Sequence, residues 1–467
     1  MQSQQINDIH HSSDYLFKNN QPKLITLINE CINFDELIPQ KFKNNYYKSI
    51  GHPRYFTLSS MICLLTIQKI FSISETSTFL NILNLSSELR DLCGLKRIPH
   101  ASQITRFKMN FHEDLLNFFN SLVSITEPIC RQIDSKLSKI IISDTTGIKA
   151  YVKENNPKYF DSLLRYNKRI EKRMKDFNPD SYTKSKMPKE SYANKDIKLA
   201  YMNGHFCYSL KCSLLTNGLG VIRHVEFPSS TPLPKDILDD VSKKDEYDSK
   251  TLIPSLNNFF ANHPTFTYKY FLGDAGFDSI DNYKYLYNEK SIIPIIPINP
   301  RATKDLPQPN FTEDGIPTCP KNSKLLMKYD GISKEKGRAT RIKWLCPKSK
   351  RVRKNKKAYY EFSCKTPCSK SKCGRVIQTP IGNNPRLISP IPRNTQKWES
   401  LYKIRTIIER TIAMLKCSMG IKNIQTRETS TIKSEVLLGA ITQQIVVLLA
   451  YKLNSTKTHL ALKYLIA

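Results

Sequence analysis

The sequence predicts a mixed α/β protein, with a helical N-terminal section, a sheet domain, and a basic cysteine-rich segment set into that domain. Apolar residues over the first 130 positions recur at mixed three- and four-residue spacing, the period of amphipathic helices. From Leu137 to Ile298, short β-branched runs alternate with helical stretches, the pattern of a mixed sheet. Residues 299 to 393 break that rhythm with Pro, Lys, Arg and Cys before helices resume at Trp398. With 467 residues the chain exceeds one ordinary domain. The expected division is 1–130 (helical N-terminal domain), 131–298 (first part of the sheet domain), 299–394 (insertion) and 395–467 (closing helices).

Taken in order, Leu58 to Phe71, Thr76 to Leu83 and Ser86 to Leu92 read as helices with Ser or Thr at their starts. Pro99-His100-Ala101-Ser102 breaks the chain and offers Ser102 as the cap of a helix running towards Phe119. Leu137 to Asp144 reads as a buried strand closing on an acid. Lys153 to Lys198 shows no sustained period and reads as loop. His205 to Leu215 and Gly220 to Phe227 form a hairpin through Thr216-Asn217-Gly218. A helix from Lys235 to Phe260 precedes a strand from Phe266 to Leu272, which ends at Gly273-Asp274. A short helix near Ile280 to Asn288 and a strand from Ile292 to Ile298 complete the sheet. Within the insertion, Arg341 to Leu345 and Tyr359 to Phe362 are strand-like. One helix runs from Trp398 through Lys416 and another from Lys433 to Lys452.

Seventy-two Lys and Arg against 41 Asp and Glu give a net charge of +31, spread along most of the chain. A polyanion such as nucleic acid is the partner that balance fits, and the basic helical N-terminal domain suits binding of DNA ends. The polar N-terminus carries no apolar segment behind a basic start, so no secretory signal is expected. The apolar run Val436 to Ala450 contains Gln443 and Gln444 and is short for a bilayer, so it reads as a buried helix. A cytoplasmic protein without a membrane partner is expected, and in that reducing setting clustered cysteines suggest metal before disulfide.

Asp144, in Ser-Asp-Thr-Thr-Gly, and Asp274, in Gly-Asp-Ala-Gly-Phe, each close a strand. Either alone would pass as a turn residue. Together at one sheet edge they suit hard cations such as magnesium or manganese. On the helix after the insertion, Tyr402, Arg405, Glu409 and Lys416 project at about 0°, 300°, 340° and 320° for about 100° per residue. Ile404, Ile407, Ile408, Met414 and Leu415 fall opposite them, so a polar stripe faces away from the packed side.

These residues resemble the insertion-sequence transposases of the DDE type. The spacing Tyr402-(2)-Arg405-(3)-Glu409-(6)-Lys416 is similar to the signature helix of one large bacterial group of them. Asp144-Thr-Thr and Asp274-Ala-Gly-Phe resemble that group's two aspartate motifs, with Phe277 where relatives often carry tyrosine. The resemblance covers about 137 to 450, including the place of the insertion. It extends to Gly51-His52-Pro53-Arg54-Tyr55 and Leu95 to Phe107.

The resemblance implies a ribonuclease-H-like α/β catalytic domain in which Asp144, Asp274 and Glu409 hold two divalent ions, Mg or Mn. Arg405 and Lys416 would then contact phosphates near the scissile bond. Tyr402 would contact the DNA backbone or a displaced base. The implied activity is cut-and-paste transposition: hydrolysis at transposon ends, then strand transfer. The partners would be double-stranded DNA, both terminal inverted repeats and target, with a homodimer formed on it. The alternatives are a catalytically silent DNA-binding derivative and a metal-dependent nuclease without strand transfer. The close spacing of Cys364, Cys368 and Cys373, with Cys346 upstream, suggests a structural zinc in a segment short of apolar residues.

Overall fold

The computed structural model describes residues 23–48, 52–170, 178–202, 205–228, 248–300, 310–354, 357–382 and 384–452. The helices that matter below are α1 (Leu58–Ile70), α2 (Ala101–Asn110), α3 (His112–Ile133), α4 (Pro157–Ile170), α5 (Asp248–Asn262), α6 (Gln396–Lys403), α7 (Thr406–Ala413) and α8 (Thr429–Lys452). The main strands are β1 (Ile140–Lys149), β2 (Lys198–Met202), β3 (His205–Asn217), β4 (Ile222–Glu226), β5 (Tyr270–Leu272) and β6 (Ile293–Ile295). Their hydrogen-bonded order is β2-β3-β1-β5-β6, with β4 on β3. β1 to β5 and β5 to β6 are parallel, while β3 is antiparallel to β2 and β4, so the sheet is mixed as expected.

The chain divides into two compact units. The first takes residues 1–135, 145–234 and 409–467; the second takes 136–144 and 235–408. The N-terminal helices therefore share a unit with the C-terminal helix, instead of the self-standing 1–130 domain the periodicity suggested. The cause is α8, buried from Thr431 to Ala450 apart from Lys433 and packed on α1, α2 and α3. It is long and apolar enough to cross a membrane, yet 94% of its apolar window is buried inside the protein. Its glutamines work as backbone partners. Gln443 accepts from the Ile222 N–H and donates to the Gly220 carbonyl, both at 2.8 Å, and Gln444 donates to the Ile222 carbonyl at 2.7 Å. Most buried amides are supplied with such partners.

Charges are buried in the same core. Glu435 on α8 accepts from Lys69 on α1 and from Lys108 on α2, the latter at 2.7 Å. Burial alone would raise its pKa, but the Lys108 and Lys69 ammonium groups hold it down at about 2. Burial pushes Lys69 the other way, below the ordinary lysine range. Arg223 on β4 is fully buried and donates to Thr126 at 2.6 Å and to the Val123 carbonyl at 3.2 Å, with Glu127 at 3.4 Å.

Several local expectations change. His100, not Ser102, caps α2, in a capping box completed by Gln103. The segment read as loop contains α4 and a short helix at Pro179–Ser185; Pro157 supplies the fixed φ of a first helical turn. Residues 171–177 of that segment, 235–247 of the helix expected from Lys235, and Gly51 lie outside the described residues. The hairpin turns through Asn217–Gly220, with Gly218 and Leu219 at the centre, the Gly220 N–H donating to the Asn217 carbonyl at 2.9 Å and Gly220 at φ 81°. The Asn217 side chain accepts from the Leu219 and Val221 amides.

In the second unit the insertion forms a β-hairpin (β7 Thr318–Cys319, β8 Asn322–Leu326) and a three-stranded sheet (β9 Lys328–Ser333, β10 Arg341–Leu345, β13 Val376–Pro380). A second hairpin pairs β11 (Ser349–Lys354) with β12 (Lys357–Phe362). It has a core of its own: Trp344 packs with Ile316, Met327, Ile342 and Ile381, and its indole N–H donates to Thr379 at 2.9 Å. The segment is thus better supplied with apolar mass than its composition suggested. Arg386 grips the buried Asp278 with two 2.8 Å bonds, anchoring the turn that follows Asp274.

Candidate active site

Asp144 and Asp274 are brought together by strand register. β1 and β5 run parallel with Ile142 opposite Leu272, so each aspartate stands two residues beyond the last paired position. Neighbouring strands are about 4.8 Å apart, and both side chains are half-buried. β1 does not end at Asp144, as the pattern suggested, but continues to Lys149, because Thr145, Thr146 and Ile148 favour extended backbone. The Asp274 carboxylate accepts from the Gly276 N–H at 2.8 Å, which fixes its orientation at the start of a short 3-10 turn. A Cβ at Gly273 would stand 2.9 Å from the Phe277 ring and 3.0 Å from Phe271, so only glycine fits before Asp274. Phe277 itself is fully buried against Phe271, which explains an apolar ring at that position.

Arg405 approaches this pair, its guanidinium 3.8 Å from Asp144. Its charge lies 5.9 Å from the Tyr402 ring centre, and Tyr402 stacks on Trp398 at 4.9 Å and 17°. Trp398, Tyr402 and Arg405 thus form a rail that ends on Asp144. Tyr402 lies in the last turn of α6, and the pattern gave no sign that Trp398 would support it.

The helix bearing the four spaced residues is not continuous. α6 ends at Lys403, the chain tightens through 3-10-type bonds from Ile404 to Leu401 and Arg405 to Tyr402, and α7 begins at Thr406. A π turn, Met414–Ser418, follows. A uniform 100° wheel therefore does not describe the four together, because tight and wide turns rotate by different amounts per residue. The packed face is nonetheless as expected in part: Ile408 and Leu415 are buried, and Ile404, Ile407 and Met414 half-buried.

In the first unit, Glu409 is exposed on α7, and Thr411 anchors that helix by donating to the Gly220 carbonyl at 2.9 Å. Lys416, on the π turn, donates to the Thr146 hydroxyl at 2.5 Å. Thr146 is the second threonine of the Asp144 motif, a partner that spacing alone did not reveal.

The four cysteines proposed for zinc do not converge as a ligand set. Among the described residues, no three His, Cys, Asp or Glu side chains are arranged to hold a metal ion. Cys346 is buried, while Cys364, Cys368 and Cys373 are half-buried, and the Cys373 sulfur lies 2.9 Å from the Ser371 hydroxyl. Burial first, then Cys319 and Cys346, raise the pKa of Cys368, so Cys319 is a nearer neighbour than the spacing implied. With a core built on Trp344, the insertion has a folding nucleus other than a metal.

Asp144 and Asp274 by themselves suit a divalent ion: two carboxylates side by side, half-exposed, with oxygen donors of the kind hard cations take.

The transposase DDE domain family matches residues 183–444, which include Asp274, Tyr402, Arg405, Glu409 and Lys416 and begin after Asp144. A second family, described as a transposase domain, matches residues 13–110 over the N-terminal helices. No curated protein matches the chain. Because the first match spans more than half of the sequence, the chain belongs to the DDE transposase family.

Proposed function

We propose that the protein cuts phosphodiester bonds at the ends of a mobile DNA element and joins the freed 3′ ends to target DNA, using Asp144, Asp274 and Glu409. Family membership implies an RNase-H-like fold, a DNA substrate and divalent-metal dependence in general terms. The observation that carries the finer reading is the equivalent register of Asp144 and Asp274 on adjacent parallel strands. Glu409 is the third carboxylate on the strength of its spacing from Tyr402, Arg405 and Lys416.

Magnesium or manganese, when bound, would lower the pKa of the attacking water or 3′-hydroxyl and neutralise charge on the leaving oxygen. The residues supply the rest. Asp144 and Asp274 hold oxygen donors at fixed separation, and the Gly276 amide keeps Asp274 aimed. Arg405, steadied by the Trp398–Tyr402 stack, and Lys416, beside the Asp144 motif, bind the phosphates flanking the scissile bond. Tyr402 contacts the backbone or a displaced base. No side chain acts as nucleophile, so no covalent enzyme intermediate forms. Synapsis of two ends calls for a homodimer on DNA.

The test is incubation of the full chain with its own terminal repeats, a target plasmid and magnesium. Nicked ends and joined products are expected, and both disappear on chelation. Nicks without joined products would make it a nuclease; binding without nicks would make it a silent derivative.

A further inference from the structure

The first unit holds a cleft of about 960 Å³ built from residues well separated in sequence: Lys149 to Lys153, Asn155 and Asn156, with Met109 and Ala193, and Lys422 to Glu428. Its rim carries Lys149, Lys153, Lys422 and Arg427, all exposed, against one carboxylate, Glu428, among the lining residues. Tyr151 lines the same cleft and is 66% exposed, a large ring turned to solvent.

Both walls are fixed from behind. The Asn155 side chain donates to the Ala150 and Tyr208 carbonyls and accepts from the Tyr208 N–H, each at 2.8 Å. The buried Glu154 accepts from the Tyr192 N–H at 2.9 Å and from Ser191 at 3.1 Å. On the opposite wall Asn194 donates to the Arg427 carbonyl at 2.7 Å, and the Tyr151 N–H donates to the Thr426 carbonyl at 2.9 Å. Ile421 and Ile424 are buried beneath that loop. These backbone groups are thus satisfied internally, while Lys149, Lys422, Arg427 and the Tyr151 ring are exposed and the exposed Lys153 ammonium lies 4.5 Å from the Tyr192 ring centre. Ordered walls under exposed charge lower the entropy lost on binding.

We propose that this cleft is a second DNA-contact site, which takes an unpaired strand. Its phosphates would meet Lys149, Lys153, Lys422 and Arg427, and one base would stack on Tyr151. A cationic groove with an exposed aromatic face is the arrangement that binds single strands without reading sequence. A fully paired duplex offers phosphates to the cations but no base face to the ring. The inference rests on the protein acting on DNA. It adds where a strand is held while ends are opened or joined.

The experiment is fluorescence anisotropy of labelled single-stranded and duplex oligonucleotides on the full chain across a salt series. Lys422→Ala/Arg427→Ala should weaken single-strand binding at least tenfold. It should also flatten the salt slope by about 1.4, at about 0.7 for each of two lost phosphate contacts on single strands. Tyr151→Ala should weaken single-strand binding at least about fivefold, the low end for one lost base stack, and leave duplex binding within about twofold. Tyr151→Phe should match the parent. Unchanged thermal unfolding of each variant shows the fold is intact. If the variants bind single strands as the parent does, or if Tyr151→Ala weakens both DNA forms equally, the proposal is overturned while the DNA-acting reading stands. If the parent binds neither form, that reading fails and the proposal with it.

Discussion

Two sets of carboxylates, one in each unit, are treated in opposite ways. In the first unit Glu435 is enclosed, only 5% exposed, between Lys69 and Lys108. In the second, Asp144 and Asp274 stay half-exposed side by side, with Arg405 at 3.8 Å from Asp144. A buried carboxylate between two ammonium groups cannot give up its partners without leaving charge in a low-dielectric core. A half-exposed pair can exchange protein and solvent partners for a metal ion or a phosphate at far smaller cost. Burial and compensation therefore separate the acid that holds the scaffold from the acids available for chemistry. Neither residue type nor local sequence would do so.

The largest effect expected from breaking this contrast is at Glu435. Glu435→Gln leaves two lysines in the core without their counter-charge and should destabilise the first unit by about 3–5 kcal/mol. Urea unfolding reports this as a lower midpoint at unchanged slope. An unshifted midpoint would mean that the N- and C-terminal helices do not depend on that network. A loss of similar size but confined to the insertion is expected from Trp344→Ala, at about 3–5 kcal/mol for a buried tryptophan. Hydrogen exchange should then rise in β9, β10 and β13 while α8 stays protected. Uniform loss of protection would show the insertion to be integral to the rest of the fold.

A smaller and graded effect is expected with acid. The Glu435 pKa is depressed, to about 2 from an ordinary 4.5. Its contribution is therefore fully present above about pH 4.5 and is lost as the pH falls through about 2. Stability measured over that window should decline more steeply for the parent than for Glu435→Gln. Parallel curves would remove Glu435 from the account.

Much of this was legible in the sequence because it rests on short-range pattern. The strand before Asp144, the strand Arg341–Leu345 and the buried reading of Val436–Ala450 follow from β-branched runs and an apolar stretch interrupted by two amides. The misreadings share a cause, which is long-range packing. Nothing local indicates that Gln443 and Gln444 will hydrogen-bond to Gly220 and Ile222, more than 200 residues away, or that α8 will join the N-terminal helices to its own unit. The break between α6 and α7 was invisible for a related reason. Ile404-Arg405 carries no Gly or Pro, so nothing local marks the turn there. Spacing along the cysteines likewise gave no sign of the Trp344 core in the same segment. At the candidate site, Asp144, Asp274 and the residues around Glu409 were readable as motifs. The supports that Trp398, Thr146 and Gly276 provide came only with the structure.

The central claim is that Asp144, Asp274 and Glu409 perform metal-dependent chemistry and do not merely maintain the fold. The direct measurement is cleavage of labelled terminal-repeat DNA in magnesium by Asp144→Asn, Asp274→Asn and Glu409→Gln, with DNA affinity and thermal unfolding measured on the same preparations. Each variant should lose at least about a thousandfold in cutting rate, about 4 kcal/mol of barrier, while binding DNA and unfolding as the parent does. Cutting at near-parental rate by any one of them would remove that residue from the site. Cutting by all three would contradict the account.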